Sequence, residues 1–116
     1  MTLLTKKDIL QAKDFQEETV KVPEWGGEVR LRGLTASERD SFEHELFEQA
    51  DSPGMKVVRA SLCARCIIDE VGKRLFSDAD IKALGDKSAI ALNRVFQVAQ
   101  KLSGLRKEDV EELAKN

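Results

Sequence analysis

The alternation of apolar and polar positions changes period once, near residue 34, and that change organises the chain. Val20 and Val22 alternate with Thr19 and Lys21, and Val29 and Leu31 alternate with Glu28, Arg30 and Arg32. A period of two marks strands with one buried and one wet face. Between the runs, Pro23-Glu24-Trp25-Gly26-Gly27 supplies turn chemistry: proline presets φ at about −65° and glycine accepts positive φ at little cost. After Gly33-Leu34 the period becomes helical. Thr35-Ala36-Ser37-Glu38 has the form of a capping box, in which the hydroxyl takes a free N–H and the glutamate reaches back. A β-hairpin therefore hands over directly to a helix.

The remaining chain reads as helices. One from Thr35 to about Ala50 sets Phe42, Leu46, Phe47 and Ala50 on a stripe opposite Ser37, Glu38, Ser41, Glu45 and Glu48, and Asp51-Ser52-Pro53-Gly54 ends it. A second, from Met55 to about Asp69, is apolar nearly all round, from Val57 and Val58 through Leu62, Cys63 and Cys66 to Ile67 and Ile68. Such a helix is either the central one of its domain or partly covered by another subunit. The segment from Asp69 to Phe76, centred on Gly72-Lys73, reads as a tight turn or small hairpin. Ser77-Asp78-Ala79-Asp80 reads as an N-cap for a short helix through Ile81 and Leu84, stopped by Gly85. A helix from about Lys87 to Leu102 carries the stripe Ala89, Leu92, Val95, Phe96, Ala99 and Leu102. The last segment, Arg106 to Ala114, has only Val110 and Leu113 as large apolar anchors and is expected to fray. At the start, Thr5-Lys6-Lys7-Asp8 before Ile9-Leu10 predicts a short capped helical turn.

The predicted fold class is α+β, mainly α. One domain spans 1–116, with an N-terminal turn and β-hairpin in 1–34 and a bundle of about four to five helices in 35–116. Two strands alone are marginally stable, so the hairpin must rest its apolar face on helices or pair its edges with another chain.

Composition narrows the function classes. At 116 residues the chain is one domain, and apolar and charged fractions of 41% and 34% are ordinary for a surface-rich helical protein. A net charge of −2 offers no basic stripe, so neither nucleic acid nor a membrane surface is an expected partner. Glu38, Asp40, Glu43, Glu45, Glu48 and Asp51 stand against only Arg39 and Lys56 around the first long helix, which reads as a solvated helix face. There is no spanning run of about 18 apolar residues, and Met1 to Leu10 is unlike a signal peptide. Two cysteines in that context imply free thiols in a reducing compartment, so a cytosolic location is expected.

The candidate chemistry is sparse. Cys63-Ala64-Arg65-Cys66 matches C-x-x-C, but a redox thiol needs a helix N-terminus and this pair sits mid-helix on an apolar face, so it reads as two small buried hydrophobes. With His44 the cysteines still fall one short of a four-ligand zinc site. His44, among Glu43, Glu45 and Glu48, lacks a nucleophile or orienting partner in the readable pattern. Glu17-Glu18 reads as a solvated strand approach. Gly26, Gly27 and Gly33 form no phosphate loop and read as turn glycines. No catalytic, cofactor-binding or metal-ligating residue is assigned, and no cofactor is expected. Trp25 either folds back over the core or is offered to a partner, since tryptophan is over-represented among residues that dominate interfaces. Arg30 and Arg32, on the wet face of the second strand, read as solubilising charges or as partners for acids on a neighbouring subunit. The candidates for partner binding and self-association are Val20, Val22, Trp25, Val29, Leu31, Val58 and Leu62, on the hairpin edge and the over-apolar helix.

The opening LLTKKDILQAKDF, the run VKVPEWGGEVRLRGLT, the acidic capped helix after it and CARCIIDEVGKRLFSDADIKAL together resemble the tail assembly chaperones of long-tailed, non-contractile bacteriophages. The resemblance covers most of the chain. It implies a non-enzymatic factor present in the host cytoplasm during assembly and absent from the mature virion. It also implies binding to the long helical tape measure protein, which is kept soluble while the tail tube polymerises around it. Many such proteins have a longer form made by −1 frameshifting, whose extension recruits the tail tube protein; this chain corresponds to the short form. Coating a long client with small units implies a homo-oligomer, and head-to-tail contacts would give rings or spirals. The terminal Ala114-Lys115-Asn116 is compatible with a slippery A-AAA-AAC heptamer in the gene. The rival reading is a small helical adaptor or regulatory protein that binds a partner helix and has no connection with phage tails; neighbouring genes would separate the two. A thiol-redox enzyme is a third, discriminated by thiol reactivity.

Overall fold

The computed structural model describes residues 2–48 and 54–115. In order, these form α1 (Lys6–Gln11), β1 (Glu17–Val22), a 3-10 turn (Pro23–Trp25), β2 (Gly27–Arg32), α2 (Ala36–Phe47), α3 (Gly54–Cys66), β3 (Ile67–Ile68), a second 3-10 turn (Asp78–Asp80), α4 (Ile81–Gly85), α5 (Ala89–Leu102) and α6 (Lys107–Lys115). The architecture is α+β and mainly α, with an antiparallel sheet of order β1-β2-β3.

The hairpin forms where the period of two placed it. Val20 pairs with Val29, Val22 with Gly27 and Glu18 with Leu31, so Val20, Val22, Val29 and Leu31 share one face. That face lies over α5. Two ion pairs fasten it from the rim: Arg94 on α5 donates to both carboxylate oxygens of Glu24 at 2.6 and 3.0 Å, and Lys101 reaches Glu18 at 3.2 Å. Gly26, at φ +77°, closes the turn in the left-handed region.

The third strand departs from the sequence reading. Helix α3 ends at Cys66 rather than near Asp69, and Ile67 and Ile68 extend to pair with Leu31 and Arg30 of β2. A bridge from Ile68 to Arg74 then makes a second small hairpin, its turn closed by the Asp69 carboxylate accepting from the N–H groups of Val71 and Lys73. A continuous apolar run at a helix end cannot be divided by periodicity alone. The division comes from the open β2 edge, which supplies backbone partners to two β-branched residues that pack well in a sheet.

Helix α3 is the central element. Every residue of 61–68 is buried, including Ser61 and Arg65, and α4, α5 and α6 all pack on this helix. A buried guanidinium must be paired. Arg65 meets the Glu45 carboxylate of α2, and its guanidinium lies 5.7 Å from the centre of the Phe42 ring. On α2, Phe42 and Leu46 are buried as expected, but Phe47 is half exposed. α2 packs mainly on α3 and α6, a narrow arc from which Phe47 is turned away; Ala50 and Asp51-Ser52-Pro53 fall outside the described residues. On α5, Leu92, Val95, Phe96 and Ala99 face inward, while Ala91 replaces the exposed Ala89 at the start of the stripe. The α6 segment is seated rather than loose, because Val110 and Leu113 are both buried in the shared core beside α3.

Gly33 is a packing glycine, not a turn glycine. It is buried where β2 leaves the sheet, and a Cβ there would stand well inside van der Waals contact with the Leu102 carbonyl at the end of α5. Gly27, by contrast, faces open space. Gly33→Ala is therefore expected to lower unfolding free energy by about 1–3 kcal/mol. Gly27→Ala should leave the urea midpoint nearly unchanged. Equal midpoints for the two variants would refute the close-approach account.

Candidate functional site

Five of the seven interaction candidates lie in the core of their own chain: Val20, Val22, Leu31, Val58 and Leu62 are buried. Trp25 and Val29 are half buried against that core. Contact with a partner through the five buried side chains would require the fold to open. The backbone of the hairpin presents one free edge, on β1, because β2 lies between β1 and β3. That edge strand carries Glu17, Glu18 and Lys21, charges of the kind that oppose strand addition. Trp25 does fold back. It shares a cleft of about 260 Å³ with Phe76, Ala83, Leu84, Asp80 and Lys87, and its buried indole Nε1 has no acceptor among the described residues.

The arginines of β2 have partners within the chain. Arg32 forms a two-pronged pair with Glu38 at 3.0 Å and 3.0 Å and also donates to the Gly33 carbonyl at 3.0 Å. Its guanidinium covers the Phe15 ring at 5.1 Å. Glu38 is at the same time the third residue of the α2 capping box: the Thr35 N–H donates to it at 2.8 Å, and its own N–H donates to the Thr35 hydroxyl at 3.0 Å. One carboxylate thus joins sheet to helix. Arg30 donates to the Glu70 carbonyl at 3.5 Å, a long contact.

The cysteines lack the setting a redox thiol needs. Cys63 and Cys66 are free and buried, and because α3 ends at Cys66 they lie in its last turn and not mid-helix, at the helix end whose partial charge disfavours a thiolate. Burial pushes the Cys66 thiol up to about 11, with the Ser103 hydroxyl at 3.6 Å partly offsetting it. Burial and the neighbouring sulfur push Cys63 higher still. Both thiols are therefore protonated at neutral pH. His44 is exposed, 3.1 Å from Glu48. Among the described residues no group of three His, Cys, Asp or Glu side chains is placed to hold a metal, and no helix is long and apolar enough to cross a membrane.

The apolar surface lies elsewhere than periodicity placed it. No residue of α1 is buried, although its capping box is complete, with the Asp8 N–H on the Thr5 hydroxyl at 3.2 Å and the Thr5 N–H on Asp8 at 3.0 Å. In this N-terminal arm Leu3, Leu4 and Leu10 are 94%, 67% and 73% exposed. A second apolar surface surrounds the 69–75 hairpin, where Val71 and Leu75 flank a groove of about 640 Å³ on the outer face of the sheet. The capping pattern before Ile9-Leu10 predicts the turn but not that these side chains are left exposed. The only available signal was that an isolated short helix with several large apolar residues has to cover them against something.

The fold buries both cysteines and displays several large apolar side chains. A family model described as phage tail assembly chaperone matches residues 5–116, and the chain belongs to that family. Among solved structures, the bacteriophage HK97 tail assembly chaperone shares the fold with a TM-score of 0.60 and 21% sequence identity, over 83% of this chain and 94% of that one. Comparison with curated protein sequences finds no match.

The Arg32–Glu38 junction makes stability depend on pH. Partial burial acts to raise the Glu38 carboxyl, but hydrogen bonds from Arg32 and the Thr35 N–H outweigh it and hold the group below its ordinary 4.5. A carboxyl depressed on folding contributes stability that is complete above its unfolded pKa and is lost as pH falls through the folded value. Glu38→Gln is accordingly expected to cost about 1–2 kcal/mol at pH 7. In urea titrations the gap from the parent protein should narrow as pH falls through and below 4.5. A gap of constant size across that window would show that the charge does not contribute.

Proposed function

We propose that this chain acts without catalysis in the host cytoplasm during tail assembly and is absent from the finished virion. It binds the tape measure protein, keeps that long helical client soluble and assists tail tube polymerisation, working as an oligomer. A longer frameshifted form brings in the tail tube protein, and the chain described here is the short form. The family match over residues 5–116 carries this reading. The exposed leucines of the arm and the Val71–Leu75 surface support it, since a chaperone for an amphipathic helix needs accessible apolar surface held on a stable body. The buried, protonated state of both thiols supports a role outside thiol chemistry.

Co-expression with the tape measure protein encoded alongside tests the central claim. The client is expected in the soluble fraction with this chain present and in the pellet without it; a client that precipitates equally in both cases removes the chaperone reading. The frameshift component has its own check in the gene. Codons spelling A-AAA-AAC for Ala114-Lys115-Asn116, followed by an open −1 frame, are expected, and a different codon set with no such frame discards that component alone.

A further inference from the structure

We propose that the groove on the outer face of the sheet is the client site, and that it takes an amphipathic helix whose apolar stripe is flanked by lysine or arginine. The proposal deepens the chaperone reading, on which it rests, by naming the surface and the chemistry of the segment received there. The two residues of β3 face opposite ways. Ile67 stands opposite Leu31 and shares the face that lies over α5, whereas Ile68 stands opposite Arg30 and lies on the outer face. There Ile68, Val71 and Leu75 line the groove with Glu28, Arg30 and Glu70.

The apolar wall is held out, not left loose. Val71 and Leu75 are 78% and 55% exposed, yet the turn that carries them is fastened along its length. The Asp69 carboxylate accepts from the N–H groups of Val71 and Lys73 at 2.9 Å and 2.9 Å. The Asp69 N–H donates to the Lys73 carbonyl at 2.7 Å, and the Leu75 N–H to the Ile67 carbonyl at 3.0 Å. A wall already ordered loses little conformational freedom when a partner covers it, which favours docking.

Two features select the occupant. The lining carries Glu28, Asp69 and Glu70 against Arg30 alone. Asp69 is engaged by its own turn, so the exposed Glu28 and Glu70 provide most of the field; Lys21 and Lys73 stand nearby, but neither lines the groove. Such a rim attracts a cationic segment and repels phosphate-bearing partners. The second feature is that a sheet face offers side chains, while its free backbone groups lie at the edges. An extended peptide laid across it would leave its own N–H and C=O groups unpaired against apolar surface, whereas a helix satisfies them internally. An apolar stripe at three- and four-residue steps then covers Ile68, Val71 and Leu75.

Fluorescence anisotropy with the full chain and two labelled synthetic peptides tests this. Both peptides carry the same leucine stripe at helical spacing; lysine and arginine flank it in one, glutamate in the other. The basic peptide is expected to bind about tenfold or more tighter at low ionic strength, and the difference should shrink toward about 1 M salt, where the Debye length falls to about 3 Å. Val71→Ser/Leu75→Ser should weaken the basic peptide by about tenfold or more. Glu28→Gln/Glu70→Gln should weaken it by about threefold to tenfold and leave the acidic peptide no weaker. All four side chains are exposed, so thermal unfolding of both variants should match the parent chain, and Glu70→Gln alone repeats the charge test without touching the hairpin. Equal binding of the two peptides, no binding of either, or binding indifferent to these substitutions overturns the proposal. So does a groove variant that loses only self-association, which assigns the groove to a second copy. In co-expression, a client kept soluble equally well by the parent and by Val71→Ser/Leu75→Ser moves the client site off this groove and leaves the chaperone reading intact. A client that precipitates with the parent chain present sinks the chaperone reading itself.

Discussion

The run from Ser61 to Ile68 has no residue exposed to water, and the layers around it are placed by what they cover. Burying a Leu, Ile, Val or Phe side chain fully contributes about 1.5–3 kcal/mol, so a segment that is apolar on every side draws elements from several directions. Helices α4, α5 and α6 pack on α3, and the sheet closes the remaining side through β3, which continues directly from it. The hairpin is stable because its apolar face has α5 beneath it and a third strand beside it.

A spine that apolar leaves little room for charge, and the exceptions mark the joints. Arg65 is buried in α3 and is tolerated because Glu45 and the face of Phe42 receive it. Arg32 is half buried at the exit of the sheet, where Glu38 both neutralises it and caps α2. In each case an arginine from one layer meets a glutamate of α2. Ion pairs in such positions contribute modestly to stability but fix geometry, because removing one partner strands the other in a poorly solvated place. Two ion pairs thus tie α2, one to the sheet and one to α3.

Beyond the core, several large apolar side chains are exposed on the surface of the body. Most of these sit on the N-terminal arm and around the second small hairpin, with Phe47 on α2 and Ile90 on α5 exposed as well. Display of apolar surface from short appendages on a firmly packed body suits a protein of the tail assembly chaperone family, since it separates stability from binding.

Much of this fold was legible in the residues themselves. The β-hairpin, the Thr5 and Thr35 caps, the short α4 and the stripe of α5 depend on local periodicity and capping chemistry, which short-range sequence carries, although Ser77 begins a 3-10 turn ahead of α4 and does not cap α4 itself. The lack of a redox setting at Cys63 and Cys66 was legible for the same reason, as an apolar setting is visible in the neighbouring residues. The conversion of Ile67 and Ile68 into a strand was not, because both helix and strand accept an apolar run and only the open edge of β2 decides between them. Nor was the role of Gly33, whose constraint is the Leu102 carbonyl from a helix end far along the chain. The interaction surface divided in the same way. Sequence identified which residues are apolar, but burial is a property of the assembled layers. Tertiary packing therefore put Val22, Leu31, Val58 and Leu62 inside and left Leu3, Leu4, Leu10 and Val71 in water.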